Sequence, residues 1–167
     1  MGYIVESDFH HKGLRCVCIG LTDMGHRCGY VGVRKNHPLY GHGYSEKILA
    51  FSDVSGSPIG KRGVIPLFCI DANAKYVGMD LYFDVHGGVT FAEGGKNCKY
   101  PVKSSLWWIG FDCAHSGDSR DESLCKKSTL DIIRRFGNDH GEVRTKEYVE
   151  QECRNLADQI LEITEVY

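Results

Sequence analysis

The chain has 167 residues, a formal net charge of -2 and a hydrophobic content of 42%. This length suits one domain with its own core, and the charge, without any run of lysine or arginine, excludes a general nucleic-acid binder. No apolar stretch is long enough to cross a bilayer, and the first residues lack the basic start and apolar segment of a signal peptide. A cytoplasmic protein without a membrane partner is therefore expected.

The eight cysteines and twenty glycines give two further expectations. No Cys-x-x-Cys pair occurs, whereas structural zinc usually needs closely paired ligands, and a reducing compartment disfavours disulfides. The cysteines are thus expected to be buried free thiols. The glycines are spread along the chain, which predicts many turns and short strands.

The first predicted elements are two strands at residues 14–19 and 26–33, which a turn at residues 22–25 joins as a hairpin. Ser45 is predicted to cap a short helical turn through Leu49. The stretch after it, residues 52–63, is rich in glycine and serine and predicts a loop or an insertion.

Two central strands follow in the prediction. Residues 79–85 alternate between apolar and polar side chains, and this period of two is typical of a strand with His86 on its polar face. The aromatic run 105–113 predicts the last strand. Its alternation divides the side chains into a core-facing set and an exposed set. The expected core set is Trp107, Ile109, Phe111 and Cys113, and the exposed set is Trp108, Gly110 and Asp112.

Two helices complete the predicted elements. Ser128 is expected to cap a helix that runs to about Arg135, and Thr145 to cap a longer one. The longer helix has one apolar face, because apolar residues recur at steps of four and three. These residues are Val149, Cys153, Leu156, Ile160 and Ile163. The predicted fold is α+β, a mostly antiparallel sheet covered by a long C-terminal helix plus one or two short helices, in one domain over residues 1–167.

If the polar faces of the two central strands coincide, His86 lies beside Asp112, with His115 and Asp118 just beyond the strand end. A histidine–aspartate pair is suited to general-base chemistry, so His86, Asp112 and His115 are the candidate catalytic residues. The same three side chains would hold a divalent metal cofactor, if one binds. The alternative is that each is an ordinary hydrogen-bonded surface, core or turn residue.

Six residues are candidate ligand contacts. Trp108 would stack on a planar ligand or else lie in the core, and Gly88 would leave open backbone at the site. Arg27 would bind a phosphate or carboxylate, or else form a surface ion pair. His37 is held extended by the proline after it, which suits a side chain placed over a site. The candidate ligand-binding residues are Arg27, His37, Tyr40, Gly88, Trp108 and Asp118.

Five sequence blocks occur in order at residues 27–31 (RCGYV), 37–41 (HPLYG), 85–91 (VHGGVTF), 107–118 (WWIGFDCAHSGD) and 144–153 (RTKEYVEQEC). Together they resemble a family of small proteins carried mainly by bacteriophages and prophages. Relative to compact members of that family, residues 50–76 look like an insertion.

The resemblance implies a phage accessory protein, such as a counter-defence factor, in the cytoplasm of the bacterial host. Two functions fit this setting. In one, the predicted pocket binds or hydrolyses a small nucleotide-like ligand. In the other, the protein inhibits a host protein through surface contacts and has no catalytic role.

Overall fold

A computed structural model describes residues 2–50, 75–136 and 141–167, with only the backbone over 132–136. The fold is α+β, as the sequence predicts, and its centre is a five-stranded antiparallel sheet in the order β1-β2-β3-β7-β6. The strands are β1 (Tyr3–His11), β2 (Leu14–Leu21), β3 (Arg27–Val33), β4 (Leu49–Ala50), β5 (Tyr76–Val77), β6 (Phe91–Gly94), β7 (Trp107–Asp112), β8 (Asp118–Ser119) and β9 (Glu142–Val143). The helices are α1 (Met79–Tyr82), α2 (Lys127–Phe136) and α3 (Lys146–Leu161), with a 3-10 turn at Glu122–Leu124.

Several local predictions are confirmed. The hairpin of β2 and β3, the aromatic strand β7 and the helix α3 all form where the patterns place them. Thr145 caps α3, and its hydroxyl oxygen accepts a hydrogen bond from the Tyr148 backbone N–H at 3.2 Å. The helix α2 begins one residue before its predicted cap, Ser128. The edge strand β1, which pairs with β2, was not predicted.

The predicted strand over residues 79–85 is wrong. These residues form the short helix α1 and then an irregular segment that leads into a turn at His86. Met79 and Phe83 are both fully buried. Because residues four apart lie on the same face of a helical turn, this pair satisfies a helical pattern as well as an alternating one.

Two other predictions concern the segment before α1. The helical turn predicted after Ser45 is also wrong, since a turn and the short strand β4 occupy that segment. The predicted insertion at residues 50–76 lies almost wholly outside the described residues.

The helix α3 covers one face of the sheet and packs on β2 and β3. Its apolar stripe lies against Cys16, Cys18, Val31 and Val33. The backbone of β3 comes very close to the helix at Gly29. A Cβ atom there would lie 2.5 Å from the Phe111 ring and 2.6 Å from the Cys153 Sγ atom. The buried residues of the stripe are Val149, Cys153, Leu156, Ala157 and Ile160.

The opposite face of the sheet is buried as well, which the sequence analysis did not predict. A second apolar cluster contains Val17, Ile19, Tyr30 and Trp108, and the chain over residues 98–106 packs on it. Central strands buried on both faces are apolar at nearly every position, as β2 and β3 are.

The expectation of free thiols is confirmed for the seven described cysteines, five of which are buried. None of the helices in the described ranges is long and apolar enough to span a bilayer.

Gly29→Ala should lower the free energy of unfolding by about 1–3 kcal/mol in urea denaturation, because the new methyl group overpacks the interface between β3 and α3. Gly43→Ala is the matched control, since its added Cβ meets only the flexible Glu46 side chain. A Gly29→Ala protein as stable as the wild type would contradict the close approach.

Candidate functional site

Three segments converge at one end of the sheet: the turn that contains His86, the turn after β7 that contains His115, and the first turn of α3. The imidazole rings of His86 and His115 lie 5.7 Å apart, measured between centroids. The sequence predicts instead that two aligned strands place His86 beside Asp112, with His115 just beyond the strand end. The structure brings His86 and His115 together through two turns.

Asp118 is the buried centre of this cluster, with a side chain only 1% exposed. One carboxylate oxygen lies 2.8 Å from His86 Nε2 and accepts the His115 backbone N–H at 3.0 Å. The other oxygen accepts a hydrogen bond from Arg144 Nε at 2.8 Å. Burial by itself would raise the pKa of Asp118, but the bonds from Arg144, His86 and the His115 N–H outweigh it and lower the pKa to about 2. Asp118 is therefore ionised at neutral pH.

The ionised Asp118 carboxylate fixes which ring nitrogen of a neutral His86 carries the proton. Because Asp118 only accepts hydrogen bonds, the proton of a neutral His86 ring resides on Nε2, and Nδ1 is the acceptor. Tyr148 Oη lies 3.0 Å from that Nδ1 atom. Burial raises the pKa of Tyr148, so the phenol stays protonated and its O–H donates a hydrogen bond to His86 Nδ1. The three residues form one hydrogen-bonded chain, Asp118–His86–Tyr148.

A polar stripe on α3 holds the segment that carries His86. The His86 backbone N–H donates to Glu152 Oε2 at 2.8 Å, and the Asp84 N–H donates to Gln159 Oε1 at 2.8 Å. The Asp84 carbonyl accepts hydrogen bonds from Asn155 and Gln159. This stripe was not predicted from the sequence, although its spacing of four, three and four residues is visible beside the apolar stripe. Its members are Tyr148, Glu152, Asn155 and Gln159.

His115 and Asp112 form the more exposed side of the cluster, each with a side chain about one-third exposed. His115 Nε2 is covered and has no hydrogen-bond partner among the described residues; it lies 3.6 Å from Asp112 Oδ1. Asp112 accepts hydrogen bonds from Thr90 Oγ1 and the Ala114 N–H. The ring of His115 rests directly on Gly87, where the added Cβ of any other residue would collide with the imidazole.

The structure places two predicted ligand contacts in the interior. Trp108 is fully buried in the second apolar cluster, and its indole N–H donates to Ser104 Oγ at 3.0 Å, so it offers no stacking surface. Arg27 is 7% exposed, and its guanidinium lies 2.7 Å from Glu6 and 2.9 Å from Asp121. It is a buried, paired charge rather than a ligand contact, which corrects both predictions.

The remaining candidates lie in different places. Gly88 is buried in the turn beside His86, and its N–H donates to the Val85 carbonyl at 2.9 Å, so it closes the turn. His37 lies in the loop after β3 and hydrogen-bonds the Ile160 carbonyl. Tyr40 packs on Trp107 at the start of β7. His37 and Tyr40 therefore lie apart from the His86 cluster.

The predicted metal set is not assembled. Within residues 2–50, 75–136 and 141–167, no group of three or more His, Cys, Asp and Glu side chains is placed to hold a metal ion. Both ring nitrogens of His86 are already engaged, by Asp118 and by Tyr148.

Comparison of the chain with protein-family models, with curated proteins and with solved structures gave no match.

The buried Asp118 carboxylate predicts a pH dependence of stability. Its pKa falls from 3.8 to about 2 on folding, so its contribution is present above pH 4 and is lost as the pH falls towards 2. Asp118→Asn should therefore lower the free energy of unfolding by about 2 kcal/mol at pH 7, and the difference should shrink towards zero near pH 2.

Urea denaturation at several pH values measures this difference. Asp131→Asn, on the exposed surface of α2, serves as the control and should change stability by less than about 0.5 kcal/mol. A deficit of Asp118→Asn that stays constant from pH 7 to pH 2 would show that the carboxylate charge is not what stabilises the cluster.

Proposed function

We propose that the protein is an acid–base hydrolase of a small nucleotide-like ligand, acting as a phage-type accessory or counter-defence protein in the cytoplasm of the host bacterium. The chain Asp118–His86–Tyr148, with spacings of 2.8 Å and 3.0 Å, carries the proposal. A carboxylate, an imidazole and a hydroxyl in this order form the arrangement that enzymes use to withdraw a proton. The resemblance to phage proteins supplies the biological setting.

The proton path follows from the occupied nitrogens. Since Asp118 binds His86 Nε2, the ring takes up a proton at Nδ1, where Tyr148 donates. A water that attacks the ligand passes one proton to Tyr148 Oη, as the hydroxyl passes its own proton to His86. The resulting imidazolium lies beside the Asp118 carboxylate, which stabilises it.

His115 supplies a second imidazole on the exposed side of the cluster, where it protonates the leaving oxygen. Asp112 Oδ1 lies 3.6 Å from its Nε2 atom. With Trp108 buried, the aromatic surface at the site is the ring of Tyr148, over which the Arg144 guanidinium lies at 5.1 Å.

The test is incubation of the purified protein with a panel of linear and cyclic nucleotides, followed by chromatography. The wild type should convert at least one member of the panel. His86→Ala should lower that rate by about 100-fold or more, because general-base catalysis contributes at least this factor. Tyr148→Phe, which removes only the relaying hydroxyl, should lower it by about tenfold or more.

His42→Ala is the matched control, because His42 is a partly exposed histidine that pairs with Glu46 outside the cluster. It should leave the rate unchanged. Release of an intact nucleotide without any product would indicate capture and would reject hydrolysis. A folded His86→Ala protein with full activity would reject the site.

A second candidate is a non-enzymatic inhibitor that contacts a host protein. One observation favours it: β1 is an edge strand of the sheet, and its Ile4 and Val5 side chains are 47% and 46% exposed. The backbone N–H and C=O groups of an edge strand can pair with a strand of a partner protein, and exposed apolar side chains can pack against that partner. In a phage-protection assay, this function predicts loss of activity with Ile4→Asp and retention with His86→Ala and His115→Ala. Hydrolysis predicts the reverse.

A further inference from the structure

A cavity of about 590 Å³ lies at the end of the sheet opposite the His86 cluster. In the antiparallel pair of β3 and β7, Cys28 pairs with Asp112 near the cluster and Val33 pairs with Trp107 at the far end. The turn between β1 and β2, the loop after β3 and the end of α3 surround the cavity there. Its volume is typical of a site for a small molecule.

The charged residues that line the cavity are all basic. None of the lining residues in the described part of the chain is an aspartate or a glutamate. A lining that contains basic side chains and no acidic one suits a negatively charged ligand. Its polar and basic members are His10, Lys12, Arg15, Arg34, Asn36 and His37.

The positive charges differ in their pairing. Arg15 makes two hydrogen bonds to Asp8, and Lys12 lies 3.0 Å from Asp158. The Arg34 side chain, by contrast, makes no ion pair or hydrogen bond to any residue that the structure describes. Arg34 is exposed and follows β3 directly. Its guanidinium is therefore available to an anion, with which it can form two parallel hydrogen bonds.

His37 is a rigid wall of the cavity rather than a charged contact. Its Nδ1 accepts the Leu39 backbone N–H at 3.2 Å, so Nε2 carries the proton and donates to the Ile160 carbonyl at 3.2 Å. Burial lowers the pKa of His37, which keeps the ring neutral. These bonds tie the loop that carries Arg34 to the last turn of α3.

The cavity also has an apolar side, formed by Leu14, Pro38, Leu106 and Leu161. Leu161 is 42% exposed, so a large apolar side chain is in contact with solvent beside the basic residues. A ligand with an apolar body and a terminal phosphate satisfies both sides at once. We infer that this cavity binds a small phosphate-bearing molecule and that Arg34 is its anion contact.

This site goes beyond the proposed hydrolase, because it shares no residue with the His86 cluster. Isothermal titration calorimetry with AMP, ADP and pyrophosphate as probes tests it, with adenosine as the uncharged comparison. ADP or AMP should bind more tightly than adenosine, and the affinity should fall with added salt. Pyrophosphate, which lacks the apolar body, should bind more weakly than ADP.

Arg34→Gln should weaken nucleotide binding by about tenfold, which is the effect expected from one lost charge-assisted contact. Lys35→Gln removes the same charge from the next exposed residue, which does not line the cavity, and should change the affinity by less than about twofold. Backbone amide chemical shifts should move at residues 12–15 and 34–37 on binding, rather than around His86 and His115.

Three outcomes would overturn the inference: no binding of any phosphate probe by the wild type, equal affinities of Arg34→Gln and wild type, or equal losses for Arg34→Gln and Lys35→Gln. The last outcome would mean that binding follows net charge alone. Hydrolysis that depends on His86 is measured separately, so the failure of either proposal is distinguishable from the failure of the other.

Discussion

The packing of α3 on the sheet is the constraint on which the rest of the structure depends. One stripe of the helix is apolar and lies on β2 and β3, where Gly29 allows the backbones to approach. The neighbouring stripe is polar and holds the segment that carries His86, since Glu152 accepts the His86 N–H and Gln159 donates to the Asp84 carbonyl. Because both stripes belong to one rigid helix, the burial of the core and the position of the imidazole are set together.

Buried charge supplies the second constraint. Arg27 pairs with Glu6 and Asp121, and Asp118 receives its hydrogen bonds from three separate segments. The two networks meet at Arg144, whose side chain binds Asp118 and whose carbonyl accepts a hydrogen bond from Arg27. Buried charges are costly unless every partner is present, so the networks fix the loops at this end of the sheet in one arrangement.

The two ends of the sheet consequently have different chemistry. One end carries paired acids and imidazoles that are suited to proton transfer. The other presents a basic cavity in which the cation Arg34 is not neutralised by any described residue. An antiparallel sheet buried on both faces leaves its two ends as the places where loops meet, and both proposed sites lie there.

Elements that repeat a pattern over many residues were predictable from the sequence. The apolar spacing of α3 and its Thr145 cap predict the helix, and the β2–β3 hairpin follows from two apolar runs around a turn. The meeting of His86 with His115 was also predicted. The predicted reason, alignment of two strands, was wrong, because residues 79–85 are too few for alternation to be distinguished from a helical turn.

Tertiary structure alone decided which side chains of the sheet are accessible. Strand alternation separates Trp108 from Phe111 correctly, yet it does not show that a second layer covers the Trp108 face. It likewise does not show that Arg27 meets Glu6 and Asp121 from distant segments. The sequence by itself determined the β2–β3 hairpin, β7 and α3, since neighbouring residues specify these elements. The tertiary structure decided which sheet side chains are buried and which residues hydrogen-bond to His86, since both depend on contacts between residues far apart in the chain.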